Sequence, residues 1–364
     1  MKPIFFASGP SRKFDDWDAS MFENNPILGR THIYDDVKKI LKSNLDDIRK
    51  ILSVPDDFSL FFVPGSGSGA IFCAFLNLLD PSRKVYSYKS GFFSEEWAKD
   101  LRDQFRLDVV EIDFEDAPKL ATHAEFDKMV VMVDTTNGKR HPNYDFLPDS
   151  QKVDGIAILD AVCAAFIEEI PWKKFDAVAF SIQKVIGGDG SIGILALSPK
   201  AVKRLTIPKS WPIGRLFNIN RWTLAEVCAG RTMSTPSILG MIELREILDW
   251  IKKIGGFAGL SKRVDKNWEI VNEFMRKNPE FDFLEKDAAN RGRGVVCLEL
   301  AKWNENGHST KEKTEMVNKI ASLATKENVF DIANFANPSW RFWVGPSQSD
   351  EDIEIGLNRF ANLF

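Results

Sequence analysis

Between Phe180 and Gly188 the chain reads Phe180-Ser181-Ile182-Gln183-Lys184-Val185-Ile186-Gly187-Gly188, with a lysine just past an apolar run and inside a glycine-bounded turn. An amine held there and partly desolvated has a lowered pKa and can condense with an aldehyde to form a Schiff base. Taken alone, a turn lysine is more often simply solvated. Asp160 stands 24 residues earlier, at the end of the apolar run Ile156-Ala157-Ile158-Leu159. Ligands of open α/β sheets collect at the carboxyl ends of strands, where a carboxylate can hold a cationic ring. The plainer role is a cap on the following Ala161–Phe166 segment. A third element is Pro64-Gly65-Ser66-Gly67-Ser68-Gly69-Ala70, between an apolar run and a helical one. Its small residues let backbone N–H groups approach a phosphate, and the helix N-terminus adds partial positive charge. No Lys follows the last Gly, so it is not a Walker A loop, and its spacing is not the dinucleotide G-x-G-x-x-G. A plain flexible turn is the alternative.

Strands and helices must alternate to bring these three together. Ser59–Val63 stops at Pro64-Gly65 like a buried strand, and Ile71 through Leu79 reads as a helix ending at Asp80-Pro81. Lys84–Tyr88 is a second strand and Ser94 through Phe105 an amphipathic helix. Further apolar runs fall at Met129–Val133, Ile156–Leu159, Ala177–Phe180 and Ile192–Leu197. Continuous runs of this kind predict a mostly parallel α/β sheet covered on both faces. Only a short Gly-rich stretch joins the last two, so one of them is a candidate antiparallel member. From about Thr235 the texture changes. Helices are expected over Ile238–Ile254, Leu260–Lys277 and Thr310–Glu327, with strands at Val295–Leu300 and Arg341–Val344. That mixture predicts a smaller α+β C-terminal domain.

The composition is that of an ordinary folded chain. Of 364 residues, 44% are hydrophobic and 27% charged, and the length suggests two domains. With 48 basic and 52 acidic residues the net charge is −4, which gives no reason to expect nucleic acid or an anionic membrane as partner. Cys73, Cys163, Cys228 and Cys297 lie far apart with no CxxC pair, so neither a zinc site nor a disulfide framework is implied. No apolar stretch has the length of a signal peptide or a bilayer span, and a cytoplasmic location is expected.

Lysine, aspartate and glycine-rich cup together suit one ligand, an aldehyde carrying both a phosphate and a ring nitrogen, as pyridoxal phosphate (PLP) does. A carboxylate beside that nitrogen keeps it protonated and the ring an electron sink. The order of cup, aspartate and Ser-x-Gln-Lys resembles the class V, fold-type I aminotransferases, and within them the phosphoserine aminotransferase family, nearly end to end. Phe6-Ala7-Ser8-Gly9-Pro10 is similar to that family's F-S-S-G-P, and Gly29-Arg30-Thr31-His32 to its G-R-S-H. Asp160-Ala161-Val162-Cys163-Ala164-Ala165 resembles D-A-T-S-A-A, and Phe180 to Gly188 resembles F-S-W-Q-K-V-L-G-G. Ile194–Val202 and Thr232–Ser237 continue the likeness.

The resemblance implies the PLP-dependent transferase fold of type I: a large, mostly parallel seven-stranded sheet domain at 21–240 and a small α+β domain at 241–364. A segment at 1–20 would contribute to both the active site and the small domain. It implies that Lys184 bonds the cofactor and shuttles the proton between Cα and C4′, that Asp160 pairs with the pyridine nitrogen, and that Thr135 meets the phenolic oxygen. Phe93 would stack on the ring, although core packing is the commoner role of a Phe. Ser66, Gly67, Ser68 and Gln183 would hold the phosphate, joined by Ser234 and Thr235 from a second subunit, so a homodimer with shared sites is implied. Ser8, His32 and Arg341 would bind the substrate, Arg341 by clamping its α-carboxylate. The partners are then an amino acid and a 2-oxo acid, with PLP as cofactor and no metal.

The chain departs from that pattern at three places. Ile33 follows His32 where the family has arginine, Asn334 takes the place of a phosphate-binding arginine, and Ser234 replaces an asparagine. PLP chemistry is untouched by these changes, but recognition of a phosphorylated side chain is left open, with Arg30, Arg215 and Arg231 as possible replacements. Phosphoserine with 2-oxoglutarate is the expected pair. The alternatives are a class V aminotransferase of unphosphorylated serine or alanine with glyoxylate or pyruvate, a PLP lyase such as a cysteine desulfurase, or an idle binding homologue. A desulfurase of this fold usually has His where Gln183 stands, and an idle homologue is expected to lose Lys184 or Asp160.

Overall fold

The apolar runs fold as strands because each is flanked by glycine, proline or aspartate and is too short for a buried helix. The computed structural model describes residues 1–119, 125–305 and 307–364. Among these, β1 (Ser59–Pro64), β2 (Val85–Tyr88), β3 (Val109–Ile112), β4 (Asp127–Val131), β5 (Ala157–Asp160), β6 (Ala177–Ser181) and β7 (Ile192–Leu197) form one seven-stranded sheet, in the order β1-β7-β6-β5-β4-β2-β3. β3, β2, β4, β5 and β6 pair in parallel, whereas β7 runs antiparallel to both β6 and β1. The reason is length: the ten residues between Ser181 and Ile192 are too few for a parallel crossover, which needs a dozen or more. β7 is thus the antiparallel member that the short connection predicted.

Helix α1 (Asp35–Ile51) packs on the helix Ile238–Lys253, while α2 (Ser66–Leu78) and α3 (Phe92–Asp103) pack on the sheet. α2 starts five residues before the apolar run that foretold it, because the Ser-Gly cup itself forms its first turn. Gly65 makes that entry possible, adopting φ of 87° ahead of the first turn. α1 and β3 had no clear sequence signal. α1 is mostly polar with a single buried stripe, Val37, Leu41, Leu45 and Ile48, and β3 is a half-buried edge strand.

A second apolar core gathers around an antiparallel three-stranded sheet, Phe281–Phe283, Val295–Leu300 and Trp340–Trp343, with the helices Gly256–Lys277, Thr310–Lys326 and Asp350–Ala361. The chain's start joins it. Ile4–Phe5 pairs in parallel with Val329–Phe330, and Phe6 O accepts a bond from Trp343 N at 3.2 Å. Leaving this core, residues 8–11 run across the carboxyl end of β6. Among the described residues no helix is long and apolar enough to cross a membrane.

Candidate active site

The carboxyl ends of five parallel strands converge on one region, and the candidate residues stand there. Asp160 is the last residue of β5, Lys184 lies three residues beyond the end of β6, Thr135 follows β4, Phe93 follows β2, and the Ser66–Ser68 turn follows β1. Lys184 Nζ donates to Cys163 Sγ at 3.3 Å and lies 5.0 Å from the centre of the Phe93 ring. The N-terminal segment covers it. Ser11 N donates to Gln183 O at 2.9 Å, Ser11 Oγ donates to Lys184 O, and a Cβ on Gly9 would lie 3.0 Å from Lys184 Cε. Ser8, in the same segment, is buried.

Asp160 is held at both oxygens. Oδ2 accepts from Trp97 Nε1 at 3.0 Å and Oδ1 from Val162 N at 3.0 Å. The bond to Val162 is the capping role of Asp160, and it uses only one of the two oxygens. Burial raises the Asp160 pKa, opposed by those two N–H bonds and by Lys184. A carboxylate so enclosed is short of positive charge and favours a cationic ligand. Burial likewise pushes the Cys163 thiol up, against the pull of Lys184, so the lysine's neighbour stays a thiol.

Asp134 ties two candidates together. Its Oδ2 accepts from Phe93 N at 2.8 Å, and its Oδ1 accepts from Thr136 N at 2.9 Å and Thr136 Oγ1 at 2.6 Å. The backbone of Phe93 and that of Thr136, the residue after Thr135, are thereby anchored to one buried carboxylate. The cup is equally constrained. A Cβ on Gly67 would lie 2.2 Å from Val162 Cγ2, and one on Gly193, whose register partner is Ser181, would lie 2.1 Å from Ser66 O. The first-turn N–H groups of α2 have no intrahelical acceptor and are free for an anion.

Arg341 belongs to the same neighbourhood. It faces Cys297 in register, and Cys297, Cys163 and Asp134 oppose the depression of its pKa, which burial causes. Its buried Nε has no partner, and among the described residues it makes no ion pair. Thr135 Oγ1 and Gln183 Oε1 are buried without partners as well. These orphaned groups, the enclosed Asp160 carboxylate and the free helix N-terminus fit PLP: a ring nitrogen for Asp160, a phenolic oxygen for Thr135 and a phosphate for the cup.

His32, Ser234 and Thr235 are not brought to Lys184. They line a separate cavity of about 560 Å³ that contains none of Lys184, Asp160, Phe93 or Thr135. Arg30 lies outside that lining, paired with Asp36 at 2.8 Å, and Asn334 is tied to Thr136 O and, at 2.9 Å, to Ser339 Oγ. Sequence reasoning missed Trp97, Cys163 and Asp134 as parts of the site. Trp97 was legible only as an apolar residue of an amphipathic helix, and Cys163 only as an isolated cysteine. Asp134 did carry a signal, since Asp134-Thr135-Thr136-Asn137-Gly138 is an Asx-turn sequence.

A lysine, a buried carboxylate and an anion cup at the strand ends of a fold-type I sheet are the parts of a PLP-dependent enzyme. Residues 19–317 match the family described as Aminotransferase class-V, and the chain belongs to that family. The phosphoserine aminotransferase of Methanosarcina mazei is 31% identical over 359 residues, covering 96% of this chain and 93% of that protein. The crystal structure of PLP-bound phosphoserine aminotransferase from Trichomonas vaginalis superposes with a TM-score of 0.79, at 16% identity and 99% of both chains. Alanine–glyoxylate aminotransferase from Nostoc has the same fold, with a TM-score of 0.78 at 18% identity over 100% of this chain and 95% of that one.

Proposed function

We propose that this chain is a phosphoserine aminotransferase, passing the amino group of phosphoserine to 2-oxoglutarate and yielding 3-phosphohydroxypyruvate and glutamate, a step of serine biosynthesis. The observation that carries this reading is the 31% identity maintained across 96% of the chain with the Methanosarcina mazei enzyme. When bound, PLP supplies the electron sink that makes the substrate Cα–H acidic. The chain's own residues do the rest. Lys184 anchors the cofactor and takes and returns the proton at substrate Cα. Asp160, held by Trp97 and Val162, keeps a proton on the ring nitrogen, and Phe93 packs on the ring face. Thr135 meets the phenolic oxygen, while Ser66, Gly67, Ser68 and Gln183 hold the phosphate. Arg341 grips the α-carboxylate, its guanidinium fork matching two carboxylate oxygens, and Ser8, buried in the segment that covers Lys184, joins it in binding the substrate.

His32, Ser234 and Thr235 act in this reading on a partner's site, in a homodimer. Their separation from Lys184 within one chain supports it, since shared sites need residues that face away from their own lysine. The domain division at residues 20 and 240 belongs to the same reading. Two separate apolar cores support it, although the helix Ile238–Lys253 packs on the larger one. A cytoplasmic location accords with four unpaired cysteines. Ile33 and Asn334 favour one competing reading, an enzyme of unphosphorylated serine or alanine. Specificity constants for phosphoserine, serine and alanine decide between them. Phosphoserine is expected to lead by more than tenfold, and equal reaction with serine or alanine leaves only the class V assignment.

A further inference from the structure

The cavity around His32 carries more positive charge than its own structure neutralises. Lys38, Arg215, Arg221 and Arg231 all line it, and among the described residues no carboxylate does. Two of these cations have ion-pair partners outside the lining. Arg231 meets Glu226 at 3.0 Å, and Lys38 meets Asp35 at 3.2 Å, where the Asp35 side chain is 90% exposed and the pairing weak. Arg215 has no carboxylate partner among the described residues. The arginines are pre-positioned nonetheless. The Arg231 guanidinium lies 3.4 Å from the centre of the Trp222 ring, and Arg221 lies 4.9 Å from it while donating to Met233 O at 3.2 Å. A second, independent observation points to a ligand. Thr232, only 8% exposed, lines the cavity with its Oγ1 buried and unpartnered. A buried hydroxyl without a partner is costly, and so are clustered cations, unless an anion with several acceptor oxygens completes them.

We propose that this cavity is a phosphoryl-binding site, in which Arg215, Arg221, Arg231 and Lys38, with Thr232, hold the dianionic group of the substrate. They take over the work of the cations absent at Ile33 and Asn334. Planar guanidinium forks fixed on an aromatic face match tetrahedral phosphate oxygens. Ile33 is exposed at the rim, and Asn334 is occupied in joining two loops, so neither contributes. The assignment of the anion to the substrate rests on the proposed phosphoserine reading and on shared sites in a dimer. The presence of the anion site does not.

The test uses the PLP-loaded enzyme and two variants, Arg231→Gln and Arg215→Gln. Arg215 is an exposed loop residue, so its replacement leaves the fold intact even where Arg231→Gln does not. Titration calorimetry with inorganic phosphate reads the site without turnover, and the specificity ratio of phosphoserine to serine reads its use. Each variant is expected to weaken phosphate about tenfold or more and to lower the ratio by a similar factor, as loss of a charged hydrogen bond does. Undiminished phosphate affinity and an unchanged ratio in both variants overturn the proposal. Loss of PLP affinity, with phosphoserine specificity intact, overturns it in favour of the cofactor's phosphate. Wild-type enzyme that shows no preference for phosphoserine, yet loses phosphate binding in the variants, upholds the cavity and sinks the substrate reading alone.

Discussion

Gly67→Ala tests whether the cup and Asp160 form one rigid unit. The added Cβ would lie 2.2 Å from Val162 Cγ2, 3.0 Å from Cγ1 and 3.2 Å from Cβ, where carbon atoms normally rest at about 3.5–4.0 Å. Turning Val162 about χ1 gives no relief, because both methyls and the Cβ crowd the same point. The first turn of α2 or the Asp160–Val162 turn must therefore move by about 1 Å. Overpacking of this kind costs roughly 2 kcal/mol, lowering Tm by a few degrees and PLP affinity by about thirtyfold if the strain is released only in the cup. Val162→Ala alone removes two buried methyl groups and should cost about 2–3 kcal/mol. In Gly67→Ala/Val162→Ala the two methyl contacts at 2.2 and 3.0 Å are gone and only the mild 3.2 Å approach to Cβ remains. The double variant should therefore be about as stable as Val162→Ala, a coupling of about 2 kcal/mol, and should recover PLP affinity. Thermal unfolding of the four proteins with and without PLP measures the cycle. Simple additivity of the two single effects refutes the argument that Gly67 is required by contact with Val162.

Three further outcomes are expected. Lys184→Ala should lose turnover and the visible absorbance of the loaded enzyme, and borohydride reduction of wild type should label Lys184; label on a different lysine removes the assignment. Trp97→Phe keeps the aromatic contact with Phe75, now 5.9 Å between ring centres, but deletes the 3.0 Å bond to Asp160. A bond to the charged form is worth about 1.5–3 kcal/mol, so kcat should fall roughly ten- to a hundredfold and its acidic limb should move to higher pH; a wild-type pH profile would show that Trp97 merely packs. His141, stacked on Phe114 at 4.2 Å, is held by burial and then by Lys139 at about 4, below its ordinary 6.5. Because its folded pKa is the lower, the protein binds this proton less readily folded than unfolded. The stability His141 contributes is thus present above pH 6.5 and lost as pH falls toward 4. His141→Phe should flatten the Tm profile in that window, and parallel profiles would mean that another group controls it.

Six of the seven strands were legible because they are continuous apolar runs bounded by glycine, proline and aspartate, a pattern local to each segment; the half-buried edge strand β3 was not. Lys184, Asp160 and the Ser66–Ser68 cup were legible for a related reason: each sits at the end of such a run, and strand ends of a parallel sheet converge. Even the antiparallel turn of β7 followed from a linker too short to cross over. α1 was not legible, since its single buried stripe lies among many polar residues and only packing on the helix Ile238–Lys253 stabilises it. The hydrogen bond of Trp97 to Asp160, the seat of Lys184 on Cys163, and the cover of residues 8–11 were also decided by tertiary structure. Each joins segments 21 to 173 residues apart, and residue type alone does not say where a side chain points. The cationic cavity makes the same point most fully. The sequence offered Arg30, Arg215 and Arg231 as equals, and folding set two of them on the wall of one cavity with Lys38 and Arg221 while it paired Arg30 with Asp36 outside. Charge is a property of composition, but a binding site needs charges that converge, and only the packed chain brings them together.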